Sequence, residues 1–230
     1  MTNIEDSINI LRKKIDAIDA ELVNLLKERS EIVDEVGHLK HKLGGAKSMV
    51  RPGREAVMIR NVVKRDIGKF PKIGAAYLWR LIISASISLE EKITILVDRN
   101  DSEVNAPVAN YYAGILETAK KNNIKEVLNA VAKNKTFIGV IPARGAFFKE
   151  KWCRDLFAKD IKVFGILPFF FDKTPKQFYL LVGRVTPEAT GEDVSLFISK
   201  TGLVKKSGFI TEAKGMIYAG SYAKEFKVGK

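Results

Sequence analysis

The sequence predicts an α + α/β protein, an all-helical region over residues 1–95 followed by a C-terminal α/β domain over residues 96–230. Two observations carry this. Apolar residues recur at three- and four-residue steps through the first ninety or so positions, as one face of a helix requires. Past residue 93 the period changes, and short runs rich in Val, Ile and Phe alternate with helical stretches, the texture of an α/β domain.

Residues 4–43 read as one helix. Asn3 or Asp6 can cap its start, and Ile8, Leu11, Ile15, Ile18, Leu22, Leu25, Leu26, Ile32, Val33 and Val36 form its apolar stripe. Gly44 and Gly45 are expected to stop it. At 1.5 Å per residue such a helix is about 60 Å long. No small globule covers that stripe alone, and the economical solution is a partner chain burying it with its own long helix. A loop through Ser48 and Arg51 leads to Pro52, suited to the first turn of a second helix running to about Gly68. A third helix is expected from Lys72 to about Lys92, with Leu78, Leu81, Ile82, Ile83, Ile87 and Leu89 on it. Its Ser84, Ala85, Ser86 and Ser88 make a small-residue side that lets a ligand or another helix come close.

A strand at Ile93–Val97 and a polar turn over Asp98–Asn105 begin the second domain. Helices are expected over Val108–Lys121, Ile124–Ala132 and Phe147–Ala158. Strands are expected at Phe137–Ile141, Val163–Leu167, Phe178–Gly183 and Ser195–Ile198. The tail after Lys200, with several glycines, Tyr218 and Tyr222, is ambiguous between loop and strand. Pro168-Phe169-Phe170-Phe171 is an aromatic run to be buried in a sheet edge or a subunit contact, since exposed it would promote aggregation. Trp152 beside Cys153 reads as core packing, and nothing marks that cysteine as a nucleophile.

Bulk properties narrow the function. With 46% hydrophobic and 29% charged residues the composition is that of a folded soluble protein. No apolar run of about twenty residues reads as membrane-spanning, and Met1–Asp6 does not begin a signal peptide. A single cysteine excludes an internal disulfide framework and suits a reducing cytoplasm. No cysteine or histidine cluster suggests a metal, and His38 and His41 read as solvated surface. The net charge of +12 comes from 17 Lys and Arg against 13 Asp and Glu in residues 1–95, and 22 against 14 in 96–230. Lysines such as Lys120, Lys121, Lys125, Lys133 and Lys135 are scattered, without the arginine-aromatic stripe of a nucleic-acid surface. A basic surface concentrates anions of any kind.

The sharpest signal is a set of charged residues suited to a small dianion. Arg12, Arg29 and Lys40 lie on the first helix, Arg54 and Glu55 at the start of the second, and Ser86 and Glu90 on the third. Arg29 and Lys40 are eleven residues apart, about three turns, and share a face. Arg12 and Arg29 are seventeen apart and point about 100° away from each other. One subunit does not easily converge all three on one ligand, whereas a second subunit could supply Arg12. Any one of these residues alone reads as a solvated helix face, a packing serine or, for Glu55, a helix N-terminal acid. Their agreement in type and order across three helices is the signal.

These motifs, Leu11-Arg12-Lys13-Lys14-Ile15-Asp16 with Ile18-Asp19, Leu25-Leu26-Lys27-Glu28-Arg29, Val36-Gly37-His38-Leu39-Lys40, Arg54-Glu55, and Leu81-Ile82-Ile83 followed by Ser86 and Glu90, resemble the all-helical class of chorismate mutase over about residues 4–92. The resemblance implies an intertwined homodimer with two identical sites, turning chorismate into prephenate without cofactor or covalent intermediate. Arg12 would reach into the neighbouring subunit's site and bind a substrate carboxylate, and Arg29 would pair with the other carboxylate region. Lys40 would donate to the ether oxygen of the breaking bond, with Glu90 the second group there. Arg54 would be a supporting cation, Glu55 would accept from the substrate hydroxyl, and Ser86 would bind a carboxylate or a structural water. No metal and no cofactor are implied. Two departures stand out. The family often places an aspartate three residues before the Arg-Glu pair, where this chain has Arg51, and the 42–49 loop is slightly longer than the shortest family versions. Glu90 stands where some members have glutamine. A carboxylate donates a hydrogen bond only when protonated, which predicts better turnover under mildly acidic conditions.

In the second half, Lys135-Thr136-Phe137-Ile138-Gly139-Val140-Ile141-Pro142 and Gln177-Phe178-Tyr179-Leu180-Leu181-Val182-Gly183-Arg184 resemble part of the periplasmic-binding-like prephenate dehydratase domain. An acidic-Asn-Ser/Thr run is replaced here by Ala143-Arg144-Gly145-Ala146, and a Thr-Arg-Phe triplet by Lys176-Gln177-Phe178. Loss of dehydratase chemistry is expected, leaving a scaffold or a regulatory lobe. Arg144, Lys149 and Arg184 could hold an anion or form a solvated basic surface. The alternatives to a monofunctional mutase in aromatic amino acid biosynthesis are a bifunctional mutase and dehydratase, or a non-enzymatic dimeric regulatory or nucleic-acid-binding protein.

Overall fold

The computed structural model describes residues 3–42 and 50–229. The expected helix stop at Gly44 and Gly45, the loop through Ser48 and the side chain of His41 lie outside the described residues. The chain divides into two compact units, residues 1–46 and residues 47–230.

The first unit contains α1 (Ile4–Lys42), one uninterrupted helix of 39 residues. Glu5 and Asp6 occupy its first turn, where acidic side chains favour the helix dipole. Along it Leu11, Ile15, Ile18, Leu22 and Leu25 are exposed, in keeping with the stripe read from the sequence. His38 is exposed and its Nδ1 lies 2.9 Å from the Asp34 carbonyl, one turn back.

The second unit opens with two helices, α2 (Pro52–Lys64) and α3 (Lys72–Glu90). By length and composition alone α3 is apolar enough to cross a membrane. One side of it packs into the core, while Leu78, Trp79, Leu81 and Leu89 are exposed. Ala76, Ile83 and Ile87 join Ala56 and Ile59 of α2 in a continuous core that extends into the sheet.

The sheet follows, built from β1 (Thr94–Asp98), β2 (Glu117–Lys121), β3 (Phe137–Pro142), β4 (Lys162–Leu167), β6 (Tyr179–Gly183), β7 (Asp193–Ser199), β8 (Gly202–Ser207) and β9 (Ile217–Ala223). Their spatial order is β2-β1-β3-β6-β4-β9-β7-β8. β1 is parallel to β2 and β3, β6 is antiparallel to β3 and β4, and β4 is parallel to β9. β7 is antiparallel to both β8 and β9. The helices α4 (Asn105–Tyr112), α5 (Ile124–Lys133) and α6 (Lys151–Lys159) complete a mixed α/β domain.

Most expected elements are present within a few residues, and the exceptions have local causes. The helix expected over Val108–Lys121 ends at Tyr112, because Ala113 and Gly114 turn the chain with φ of 52° and 69°, a left-handed helix stop. Glu117–Lys121 is instead the edge strand β2, whose charged side chains protect an open edge and hide its strand character from pattern reading. The helix expected over Phe147–Ala158 is split into a 3-10 turn at Ala146–Lys149 and α6. The ambiguous tail forms β8, β9 and a short β10 (Phe226–Lys227). β10 pairs with β5 (Phe170–Phe171), so the aromatic run is buried at a second small sheet, Phe169 and Phe170 packing against Phe226. Trp152 packs against the core and Cys153 is fully buried within it.

Candidate active site

The first turn of α2 is assembled from both ends of the second unit. Pro52 at the first helical position has a fixed φ and lacks the N–H that would otherwise be orphaned. Arg51 occupies the N-cap and its side chain supplies no capping oxygen. Two carboxylates substitute. Glu55 Oε1 accepts from the Arg51 N–H at 3.1 Å. Glu188, on the segment leading to β7, accepts from the Arg51 Nε and, at 3.4 Å, from the Arg54 N–H. Anionic groups are favoured there because the first turn presents unpaired amides and the positive end of the helix dipole. The Arg54 side chain is exposed.

Glu55 itself is buried, and its other oxygen accepts from Arg80 Nη1 at 2.7 Å. Arg80 sits on α3 with no exposed surface. Its Nη1 also donates to the Tyr111 hydroxyl at 3.2 Å, its Nε donates to Ser84 Oγ at 3.3 Å, and its guanidinium lies 4.5 Å from the Tyr111 ring centroid. Nη2 has no hydrogen-bond partner. Burial works to lower the Arg80 pKa, but neighbouring Tyr111 and Glu55 outweigh it and raise the pKa, so the guanidinium stays charged. Burial pushes the Tyr111 hydroxyl up against the pull of Arg80. A cavity of about 20 Å³, room for one water, lies beside Glu55 between Ile87, Tyr111, Tyr112 and Phe164.

At the far end of α3, Ser86 is buried and its hydroxyl donates to the Ile82 carbonyl at 2.8 Å, one turn back. Glu90 is the last residue of α3, one turn beyond Ser86, and is half-buried. Arg12, Arg29 and Lys40 stand on α1 in the other unit, Arg29 and Lys40 on a shared face by helix geometry. The structure thus groups Arg54 with Glu55 on α2, Ser86 with Glu90 on α3, and the three cations on α1.

Sequence reading missed three residues of this region. Arg80 is the one charged residue in the interior of the apolar helix α3, and that isolation was the available signal. Arg60 and Glu188 carried none, since their partners are more than a hundred residues away. Among the described residues no group of three or more His, Cys, Asp or Glu side chains could hold a metal ion.

Residues 11–91 match the family described as chorismate mutase type II. The full-length relatives the chain resembles are described as bifunctional chorismate mutase/prephenate dehydratases. That of Pseudomonas aeruginosa is 25% identical over 146 residues, 62% of this chain and 40% of its own length. That of Aquifex aeolicus is 25% identical over 167 residues, 70% of this chain and 46% of its own. That of Neisseria gonorrhoeae is 34% identical over 84 residues, 36% of this chain and 22% of its own. The chain therefore spans less than half the length of the curated relatives it matches. A solved structure described as GqqA, a novel type of quorum quenching acylase, covers 59% of this chain at 9% identity with a TM-score of 0.40, too loose a likeness to argue from.

Proposed function

We propose that this chain is a chorismate mutase of aromatic amino acid biosynthesis, working in the cytoplasm as a homodimer. The observation that carries the reading is the family match over residues 11–91, which contains all seven site positions, Arg12, Arg29, Lys40, Arg54, Glu55, Ser86 and Glu90. The functional division is then a mutase region over 1–95 and an accessory α/β domain over 96–230, even though α2 and α3 fold against the sheet.

The chemistry suits these residue types. The rearrangement of chorismate to prephenate is unimolecular and pericyclic, so it needs no nucleophile, general base or cofactor. The protein has to hold a compact conformer and stabilise charge that grows on the ether oxygen. Arginine forks suit the two substrate carboxylates, with Arg29 in one subunit and Arg12 supplied from the other. Lys40, aimed where charge develops, gains strength in the transition state and so lowers the barrier. Glu90 donates to the same oxygen when protonated, Glu55 accepts from the substrate hydroxyl, Ser86 and Arg54 support the carboxylates, and orientation supplies the remainder. The exposed apolar residues of α1, Leu11, Ile18 and Leu22 among them, favour a second copy of the helix as their cover.

The test is chorismate consumption and prephenate formation from pH 5 to 8.5, with Arg29→Ala as the control. Turnover that the substitution abolishes is expected, and no turnover at any pH would remove the reading.

A second reading, a bifunctional mutase and dehydratase, is favoured by similarity to the bifunctional relatives that runs well beyond the mutase region, over as many as 167 residues. Against it stand Ala143-Arg144-Gly145-Ala146 and Lys176-Gln177-Phe178 in place of the expected motifs. Phenylpyruvate followed in the same assay separates the two, and none is expected.

A further inference from the structure

We propose that residues 188–193 of the sheet domain are a positioning element for the mutase site, acting through α2, with Glu188 as its positioning residue. The role rests on the mutase reading and gives the second domain a task in the first domain's chemistry.

The segment holds α2 at two places. At the first turn, Glu188 takes the place of the missing N-cap oxygen, accepting from the Arg54 N–H and from the Arg51 side chain. The approach is close enough to need a bare backbone. A Cβ on Gly53 would stand 2.6 Å from Glu188 Cβ. Two turns later along α2, the buried Arg60 donates from Nη1 to Thr190 Oγ1 at 3.0 Å. Its Nη2 donates to the carbonyls of Glu192 at 3.0 Å and Lys224 at 2.7 Å.

The segment is itself braced. The buried Asp193 accepts from Thr190 N–H at 2.9 Å, Thr190 Oγ1 at 2.7 Å and Gly191 N–H at 3.1 Å. Arg54 lies at the first grip and Glu55 directly after it, so the position of α2 relative to the sheet sets where their side chains stand. An exposed ion pair such as Arg51 with Glu188 contributes little to global stability. Its effect falls instead on the placement of one helical turn, and small misplacements of binding groups are expensive in catalysis.

The test uses the full chain and the variants Glu188→Ala, Glu188→Gln, Gly53→Ala and Gly53→Ala/Glu188→Ala, with kcat and KM for chorismate measured beside urea unfolding. Glu188→Ala and Gly53→Ala should each raise KM about five- to tenfold with kcat within about twofold, the pattern of lost substrate binding. Glu188→Gln, which keeps a capping oxygen, should lie between. The double variant should be no worse than the worse single, because both break the same contact. In the Glu188→Ala background, Gly53→Ala should still lower the unfolding midpoint, since Glu188→Ala keeps the Cβ that would stand 2.6 Å from the added one. Wild-type KM and kcat in Glu188→Ala and Gly53→Ala, or losses that simply multiply in the double variant, would overturn the positioning role while leaving the mutase intact. A wild-type chain without chorismate turnover would overturn both together.

Discussion

Arg80 and Glu55 form a buried ion pair, Nη1 to Oε2 at 2.7 Å, that joins α3 to the first turn of α2. The arginine has no exposed surface and the carboxylate very little, so neither charge has water to fall back on. The pair orients the one carboxylate of α2 that the mutase reading assigns to the substrate, and leaves its second oxygen on the Arg51 amide.

Removing one partner should therefore be worse than removing both. Arg80→Met leaves a buried carboxylate uncompensated and should cost about 3–5 kcal/mol of stability. Arg80→Met/Glu55→Gln should recover at least about half of that loss, which urea unfolding of the wild type, the singles and the double measures directly.

The proposed sharing of the site between subunits makes a prediction about mixed dimers. Arg12→Ala and Arg29→Ala chains should each be inactive alone. Unfolded and refolded together in equal amounts, they should regain about a quarter of wild-type turnover, because half the dimers are mixed and each then has one intact site. Absence of recovery would place Arg12 in its own subunit's site.

In the role proposed for Glu90 a carboxyl donates to the ether oxygen only when protonated, so turnover should rise as pH falls from 8.5 towards 5. Glu90→Gln donates at every pH and should flatten that profile, with its largest gain over wild type at the alkaline end. A wild-type profile already flat would remove this role from Glu90.

Cys153 is buried and its thiol is pushed up to about 12 by burial first and the neighbouring Glu150 carboxylate second. It should resist alkylation in the native protein at pH 8 and react readily in denaturant, as measured by mass. The sign for stability follows. The folded state holds the proton more tightly than the unfolded state, so this contribution is complete below about pH 9 and declines as pH rises from there towards 12. A Cys153→Ser chain should lack that alkaline decline.

Gly220 is a backbone prediction. Its φ of 129° is one that side chains rarely adopt, and a Cβ there would lie 2.1 Å from the Val163 carbonyl oxygen of the neighbouring strand. Gly220→Ala should lower stability by about 2 kcal/mol or more, combining backbone strain with disruption of the β4–β9 pairing.

Local pattern was enough for much of this protein. The helical period that gives α1, α2 and α3 their apolar faces is written in successive residues, as are Pro52 at a helix start and the apolar runs of β1, β3, β4 and β6. The cations of α1 and the pairs Arg54-Glu55 and Ser86-Glu90 were legible for the same reason, since each group lies on one helix at fixed spacing. The edge strand β2 was not legible, because a strand paired on one side only and rich in charge carries no alternating signal.

What the sequence by itself determined is therefore the set of elements and the type and order of the charged residues, both of which depend on near neighbours. Only the tertiary structure decided that α2 and α3 share a core with the sheet, that Arg80 neutralises Glu55 from the adjacent helix, and that Glu188 caps a turn 134 residues earlier in the chain. The physical reason is the desolvation of charge and of helix-end amides. A group removed from water must find its partner wherever the fold brings one, and that place is set by packing and not by position in the chain.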